Sequence, residues 1–244
     1  VAPNGDVLVM AGKSLARSKD KCRTWEELEE LPERLATEDT YGQAILHTRG
    51  GRLIVQTWKD REAAGKDVPE ITISESTDNG VTWSEPVPST VAPGWPALPS
   101  KLVPYGPLTE GPDGTLLRFL LGSAKEDFQF TNVVTWSSIH CKAYVIRGTD
   151  GGKNWSNAIE IDRPAWVGQP RGTIPGSLDL TEPTGVFLDD KNVTVLVRPI
   201  YSPYMWQCWS RDGGATWDAA TRATFPGYAQ SMIRTASGAI VCAH

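Results

Sequence analysis

One eight-residue motif occurs four times in this chain and limits the folds that it can adopt. Its clearest copy, residues 76–83, follows the pattern Ser-x-Asp-x-Gly-x-Thr-Trp, and residues 210–217 repeat every fixed position. Residues 148–155 have Gly for Ser and Asn for Thr, and residues 18–25 have Cys at the Gly position. The closing tryptophans Trp25, Trp83, Trp155 and Trp217 are 58, 72 and 62 residues apart. A spacing this regular predicts one structural unit repeated in register.

A second repeat precedes each motif and defines that unit. Tight-turn pairs such as Asn4-Gly5, Gly50-Gly51 and Ser237-Gly238 lie beside apolar, strand-like runs, and turns of this type need positive φ. Each unit therefore reads as strand, turn, strand, variable loop, strand, Asp-containing turn, strand. Only residues 24–37 have a helical pattern, and Pro32 should end that helix. Repeated four-stranded units of about 64 residues predict an all-β fold, a β-propeller of four-stranded antiparallel blades, with about four blades in 244 residues.

Composition excludes several classes of function. Hydrophobic residues make up 40% and charged residues 22%, a globular balance, and a net charge of −5 without any basic block argues against nucleic acid as the main partner. No apolar run approaches the ~18 residues of a membrane helix. Four cysteines do not make a disulfide scaffold, so we expect free thiols. No His/Cys/Asp cluster has metal-ligand spacing, and we expect neither a metal nor another cofactor.

The chemistry of the motif is that of a turn. Asp20, Asp78, Asp150 and Asp212 can each accept hydrogen bonds from nearby backbone N–H groups. Asp-x-Asn-Gly also resembles part of a calcium loop, but such a loop needs five or six oxygen ligands and a distal Glu, which no copy supplies. We interpret the motif as structural and the tryptophans as packing residues rather than sugar platforms.

At this spacing the motif looks like the Asp box of the sialidase (neuraminidase) superfamily, whose members are six-bladed β-propellers. Four copies cover nearly the whole chain. The resemblance implies a single partial propeller domain over residues 1–244, truncated at both ends. It also implies a secreted or periplasmic location.

One predicted blade carries charge at both ends of its first hairpin. Glu182 opens the strand before the 189–192 turn, and Arg198 closes the strand after it. From the pattern alone they are either a structural ion pair or a catalytic pair. Sialidases place a Glu and an Arg at these positions, about sixteen residues apart as here. There the Glu takes the proton of a Tyr nucleophile and the Arg is one of three that bind the sialic acid carboxylate, which a guanidinium suits.

The chain departs from the family at other positions. The first Arg strand would precede Val1, and the third Arg and the Tyr nucleophile would follow His244. Residues 10–17, where the acid/base Asp should lie, contain no carboxylate. Asp60 and Asp127, in later loops, are the substitutes that we can name. Loop aromatics are either sugar platforms or packing residues. The candidate substrate contacts are Asp60, Asp127, Trp136, Arg171 and Gln230.

The resemblance implies an exo-acting sialidase-like glycoside hydrolase whose partner is a glycan ending in an acidic sugar. The rivals are a carbohydrate-binding propeller without turnover, which the missing acid loop favours, and a protein-interaction propeller. We expect the 244-residue chain alone not to hydrolyse a sialoside, because the nucleophile would lie outside it.

Overall fold

The computed structural model describes residues 1–26, 29–35, 40–96, 102–122, 142–161, 180–199, 203–228 and 230–243. The chain forms two compact units. Unit 1 comprises Val1–Pro93 and Gly148–Ser156, and unit 2 comprises Gly94–Arg147 and Asn157–His244. The single domain over 1–244 stays a prediction.

Short β-strands make up nearly all of the regular structure. In chain order the strands are β1 (Val7–Ala11), β2 (Ser14–Ser18), β3 (Glu29–Glu30), β4 (Thr40–His47), β5 (Leu53–Lys59), β6 (Glu70–Ser76), β7 (Val87–Pro88), β8 (Thr90–Val91), β9 (Leu102–Glu110), β10 (Leu116–Gly122), β11 (Lys142–Thr149), β12 (Asn154–Trp155), β13 (Ile159–Glu160), β14 (Leu180–Phe187), β15 (Val193–Pro199), β16 (Tyr204–Ser210), β17 (Thr221–Pro226), β18 (Ser231–Arg234) and β19 (Ile240–Ala243). The described helices are α1 (Arg61–Ala64) and the 3-10 turns Glu33–Leu35 and Asp150–Gly152. None of them is long and apolar enough to cross a membrane.

The strands pair as blades. In unit 1, β1–β2–β3 form one antiparallel sheet and β4–β5–β6–β7 a second. In unit 2, β14–β15–β16–β17 form a four-stranded antiparallel sheet, β9 pairs with β10, β13 with β11, and β18 with β19. The all-β fold with four-stranded propeller-type blades is therefore confirmed, and so is the strand–turn–strand–loop–strand–turn–strand order.

The helical pattern within residues 24–37 does not form an α-helix in the described residues 24–26 and 29–35, so that prediction is wrong there. Glu29–Glu30 pair with β2 through Leu15 and Ser14, and Glu33–Leu35 form a single 3-10 turn. The acidic run satisfied a helical period, but Glu29 and Glu30 pair with β2 through their backbone groups, and Leu31 and Leu35 are buried in the core of unit 1. Tertiary burial overrides a weak helical propensity.

In the second motif the side chains hold the turn as the sequence predicts. The Ser76 hydroxyl donates to Asp78 Oδ1 at 2.8 Å and accepts the Gly80 N–H at 2.7 Å. Asp78 Oδ1 also accepts the N–H groups of Val81 and Thr82, and Oδ2 accepts the Thr82 hydroxyl. Chiefly because of the Thr82 hydrogen bonds, the pKa of Asp78 falls to about 2. The first and fourth motifs, around Asp20 and Asp212, repeat these bonds.

Two motifs depart from this arrangement. In the first, Trp25 is 44% exposed, so the prediction that every motif tryptophan packs is wrong there, and Cys22, with a φ of 65°, takes the left-handed conformation that Gly80 has in the second motif. In the third motif, Asp150 lies in a 3-10 turn and the buried Trp155 ring donates its N–H to the Gly152 carbonyl at 2.8 Å.

Candidate functional site

The first hairpin of the β14–β17 sheet brings Glu182 and Arg198 to one end of that sheet. Thr181 pairs with Arg198, which sets the start of β14 beside the end of β15. At the other end of the same sheet Val193 pairs with Ser210, the first residue of the fourth motif. The charged pair and the motif therefore lie at opposite ends of this sheet, as its strand order predicts.

Glu182 and Arg198 form a bidentate ion pair. Arg198 Nε donates to Glu182 Oε2 at 2.6 Å, and Nη2 donates to Oε1 at 3.0 Å. The two side chains are only 14% and 16% exposed for Arg198 and Glu182. The hydrogen bonds to Glu182 raise the pKa of Arg198, although partial burial opposes the shift, so the guanidinium is always charged.

A backbone irregularity aims the Glu182 carboxylate. The register of β14 against β15 shifts between Thr181 and Thr184, so Glu182 and Pro183 together lie opposite Val197. This is a β-bulge, a device that redirects a side chain. Glu182 has a φ of +51°, in the left-handed region that a non-glycine residue rarely adopts.

A register shift near the same point also occurs in β4, with two residues opposite one, and in β9, with three residues opposite one. The β4–β5 register shifts between Tyr41 and Ala44, so Gly42 is the first bulged residue. The β9–β10 register shifts after Tyr105, where Gly106 is the first bulged residue with a φ of +68°. Glu182 therefore takes the left-handed conformation that a glycine has at the first bulged position of β9. A left-handed Glu costs about 1–2 kcal/mol of backbone strain, and strain of this kind is typical of functional sites.

Three further side chains surround the pair. The Arg198 Cζ lies 4.4 Å from the centroid of the Tyr228 ring, and Tyr228 is 70% exposed. Gln230, which is buried, donates from Nε2 to the backbone carbonyl of Glu182 and to that of Leu196 at 3.1 Å. Partial burial, followed by the negative charge of Glu182, raises the pKa of Tyr105. The Tyr105 phenol is therefore protonated at neutral pH and can donate a hydrogen bond.

Arg118 donates a hydrogen bond to the β9 bulge from the neighbouring strand. It lies on β10 opposite that bulge, its side chain is buried, and Nη1 donates to the Gly106 carbonyl. Burial lowers the pKa of Arg118 to about 10, so it remains charged at neutral pH. A Cβ atom added to Gly106 would lie 3.3 Å from the Pro183 carbonyl oxygen, which places the two bulges side by side.

The remaining predicted site residues are Asp60, Asp127, Trp136 and Arg171. Asp60 is buried and caps α1, where its Oδ1 accepts the Glu62 N–H at 3.0 Å. Asp127, Trp136 and Arg171 lie outside the described residues. No group of three His, Cys, Asp or Glu side chains able to hold a metal occurs in the described part of the chain. Cys22, Cys208 and Cys242 are free thiols, and Cys141 is not among the described residues.

Sequence reasoning missed Tyr105, Arg118 and Tyr228. Aligning the blades strand by strand would have found Tyr105, because it comes just before the first bulged position, as Thr181 does in β14. No sequence signal marks Tyr228 or Arg118, since Tyr228 meets Arg198 only in the folded blade and Arg118 bonds a carbonyl that the β9 bulge exposes.

Comparison with family models identifies the family of this chain. The chain belongs to the BNR repeat-like domain family, which matches residues 4–244. No curated protein gives a significant match to the sequence.

Solved structures share the fold at low sequence identity. A protein of unknown function from Dyadobacter fermentans DSM 18053 has a TM-score of 0.62 at 15% identity over 94% of this chain. The Hadza microbial sialidase Hz136 has 0.61 at 17% over 99%, and an alpha-L-arabinanase from Penicillium chrysogenum has 0.54 at 13% over 95%. The matches cover 63%, 51% and 62% of those three chains. The fold is thus one that glycoside hydrolases use.

Proposed function

We propose that this protein is a sialidase-like glycoside hydrolase acting on terminal acidic sugars of glycans. The observation that carries the proposal is the Glu182–Arg198 pair, a nearly buried carboxylate and guanidinium at the end of a blade opposite its motif turn. Glu182 is held there in a left-handed bulge where glycine would be less strained. A role of the carboxylate in binding or catalysis explains why this strained position holds Glu and not Gly.

Each group has a distinct role in the proposal. Arg198 binds the sugar carboxylate through the N–H groups that Glu182 does not use, and Tyr228 covers one face of the guanidinium. Glu182 takes the proton of a phenol nucleophile, following the sialidase resemblance. The Tyr105 phenol, which is protonated at neutral pH, donates its O–H to the bound sugar.

Binding by the chain itself tests the recognition of an acidic sugar. The probes are a sialic acid methyl glycoside and its methyl ester, titrated calorimetrically, so that the two ligands differ in the carboxylate charge. We expect the acid to bind at least about tenfold more tightly than the ester and Arg198→Lys to remove that difference. Arg222→Lys is the matched control, because Arg222 stacks on Tyr204 at 4.7 Å without a Glu182 bond. Equal binding of acid and ester would exclude carboxylate recognition.

Turnover is tested separately, with a fluorogenic sialoside and a protein extended at both ends as the resemblance requires. Glu182→Gln should reduce kcat by at least about a hundredfold if the carboxylate moves a proton. An active extended protein that is indifferent to this substitution would remove Glu182 from the catalytic machinery.

A carbohydrate-binding propeller without turnover is the second candidate. Two observations favour it: Asp60, a substitute acid, already caps α1, and Glu182 already neutralises Arg198. A neutral pair favours a neutral glycan, and arabinobiose is a suitable probe because it occupies the arabinanase structure. Tight arabinobiose binding, no binding of the sialoside and no turnover would support this candidate.

A further inference from the structure

The bulge at Glu182 leaves a gap in the hydrogen bonding of the β14–β15 hairpin. Two residues lie opposite Val197, and one of them, Pro183, has no N–H to offer to the ladder. Carbonyl groups that lose a ladder partner in a buried strand must find another donor, because an unpaired buried carbonyl is costly.

Gln230 supplies these donors. It lies 48 residues from Glu182 in sequence, is 2% exposed, and its Nε2 donates to the carbonyls of Glu182 and Leu196, one on each strand of the hairpin. Two acceptors at one nitrogen fix the orientation of the amide, since the flipped amide would set its oxygen against two carbonyl oxygens. The Gln230 Oε1 is buried without a hydrogen-bond partner, so this side chain is placed for its donors.

A second contact ties β14 to the strand after Gln230. The Met232 N–H donates to the Thr184 hydroxyl at 3.4 Å, just past the bulge. The bulge is thus held on both sides, and the amide of Gln230 acts directly on the peptide unit that follows the strained φ.

We propose that Gln230 is a positioning residue that holds the left-handed Glu182 backbone, and thereby keeps the carboxylate in its bidentate pair with Arg198. This inference deepens the proposed function and rests on it for any effect on turnover. Its structural part stands on its own, because the pair is observable without a substrate.

The test is NMR of the ¹⁵N-arginine-labelled chain, with the Arg198 Nε–H signal assigned by its loss in Arg198→Lys. In Gln230→Met, which keeps side-chain length without a donor, we expect Nε–H exchange with solvent to be at least about tenfold faster. Gln207→Met is the matched control: the Gln207 backbone pairs with Leu196, but its side-chain amide donates to Thr194 Oγ1 (2.8 Å) and not to the bulge carbonyls, so its loss should leave the Arg198 signal unchanged.

A purely structural role predicts a different result: a lower Tm with an unchanged Arg198 signal, which would overturn the inference. Should Gln230→Met not fold, Gln230→Asn gives the same readout, because it keeps the amide polarity but cannot reach both carbonyls. In an active extended protein, Gln230→Met should lower kcat with little change in KM. Absence of any turnover, with the faster Arg198 exchange observed, would reject the proposed function and leave the positioning role intact.

Discussion

Replacing Glu182 by glycine and by alanine separates the backbone strain of this residue from its ion pair. Both substitutions remove the carboxylate and leave Arg198, whose side chain is 14% exposed, without its partner. Truncating one member of a nearly buried, hydrogen-bonded pair costs about 2–5 kcal/mol, so both variants should be less stable than the parent chain by about that amount.

The two variants differ in a Cβ atom at a φ of +51°. At an ordinary strand position alanine is more stable than glycine by about 0.5–1 kcal/mol, because glycine loses more backbone entropy on folding. At a left-handed position alanine bears a steric cost of about 1–2 kcal/mol that glycine avoids. The order should therefore reverse, with Glu182→Gly more stable than Glu182→Ala by about 0.5–1 kcal/mol.

Urea unfolding of both variants, followed by tryptophan fluorescence, measures the difference. Thr181, the neighbouring residue in β14, does not have positive φ, so Thr181→Ala and Thr181→Gly provide the matched pair with the ordinary order. If alanine were the more stable residue at both positions, Glu182 would not be strained, and its side chain would not be kept at the expense of the backbone.

Three other substitutions test the motif turns. Ser76→Ala leaves the buried Gly80 N–H without its acceptor and should lower the free energy of unfolding by about 1–3 kcal/mol. An unchanged urea midpoint would mean that the hydroxyl is dispensable. Cys22→Gly relieves a φ of 65° and should raise the free energy of unfolding by about 0.5–1 kcal/mol; a lower midpoint would contradict the left-handed turn. Asp78 has its pKa lowered from 3.8 to about 2, so its contribution to stability is complete above pH 4 and is lost as the pH falls toward 2. Asp78→Asn should therefore be less stable than the parent chain at pH 6, and its Tm should fall less than that of the parent between pH 4 and pH 2. Parallel plots of Tm against pH for the two proteins would refute the lowered pKa of Asp78.

The blade pattern was predictable because its signals are short. The turn at 76–83 is closed by hydrogen bonds among side chains and backbone groups within one motif, so the residues that specify it are adjacent in sequence. Strand pairs joined by tight turns are also specified by residues that are close together in sequence. The acidic run near Glu29 gave a wrong prediction because edge pairing and burial, neither of which is local, decided its conformation.

Of the candidate site, the sequence indicated Glu182 and Arg198, because a hairpin of known length sets the start of one strand beside the end of the next. It also named Gln230, although as a substrate contact and not as a donor to the Glu182 backbone. It gave no sign of the bulge, since a one-residue register shift leaves the pattern of strands and turns almost unchanged.

The sequence by itself determined the repeated blade, its turns and the placement of one carboxylate, Glu182, and one guanidinium, Arg198, at the same end of a hairpin. Only the tertiary structure decided that Glu182 is left-handed, that Gln230 holds its carbonyl, and that the Tyr228 ring lies against Arg198. The physical reason is distance along the chain: local hydrogen bonds and side-chain periodicity fix turns and strands, whereas the side chains that meet at a bulge come from strands brought together by burial of the core.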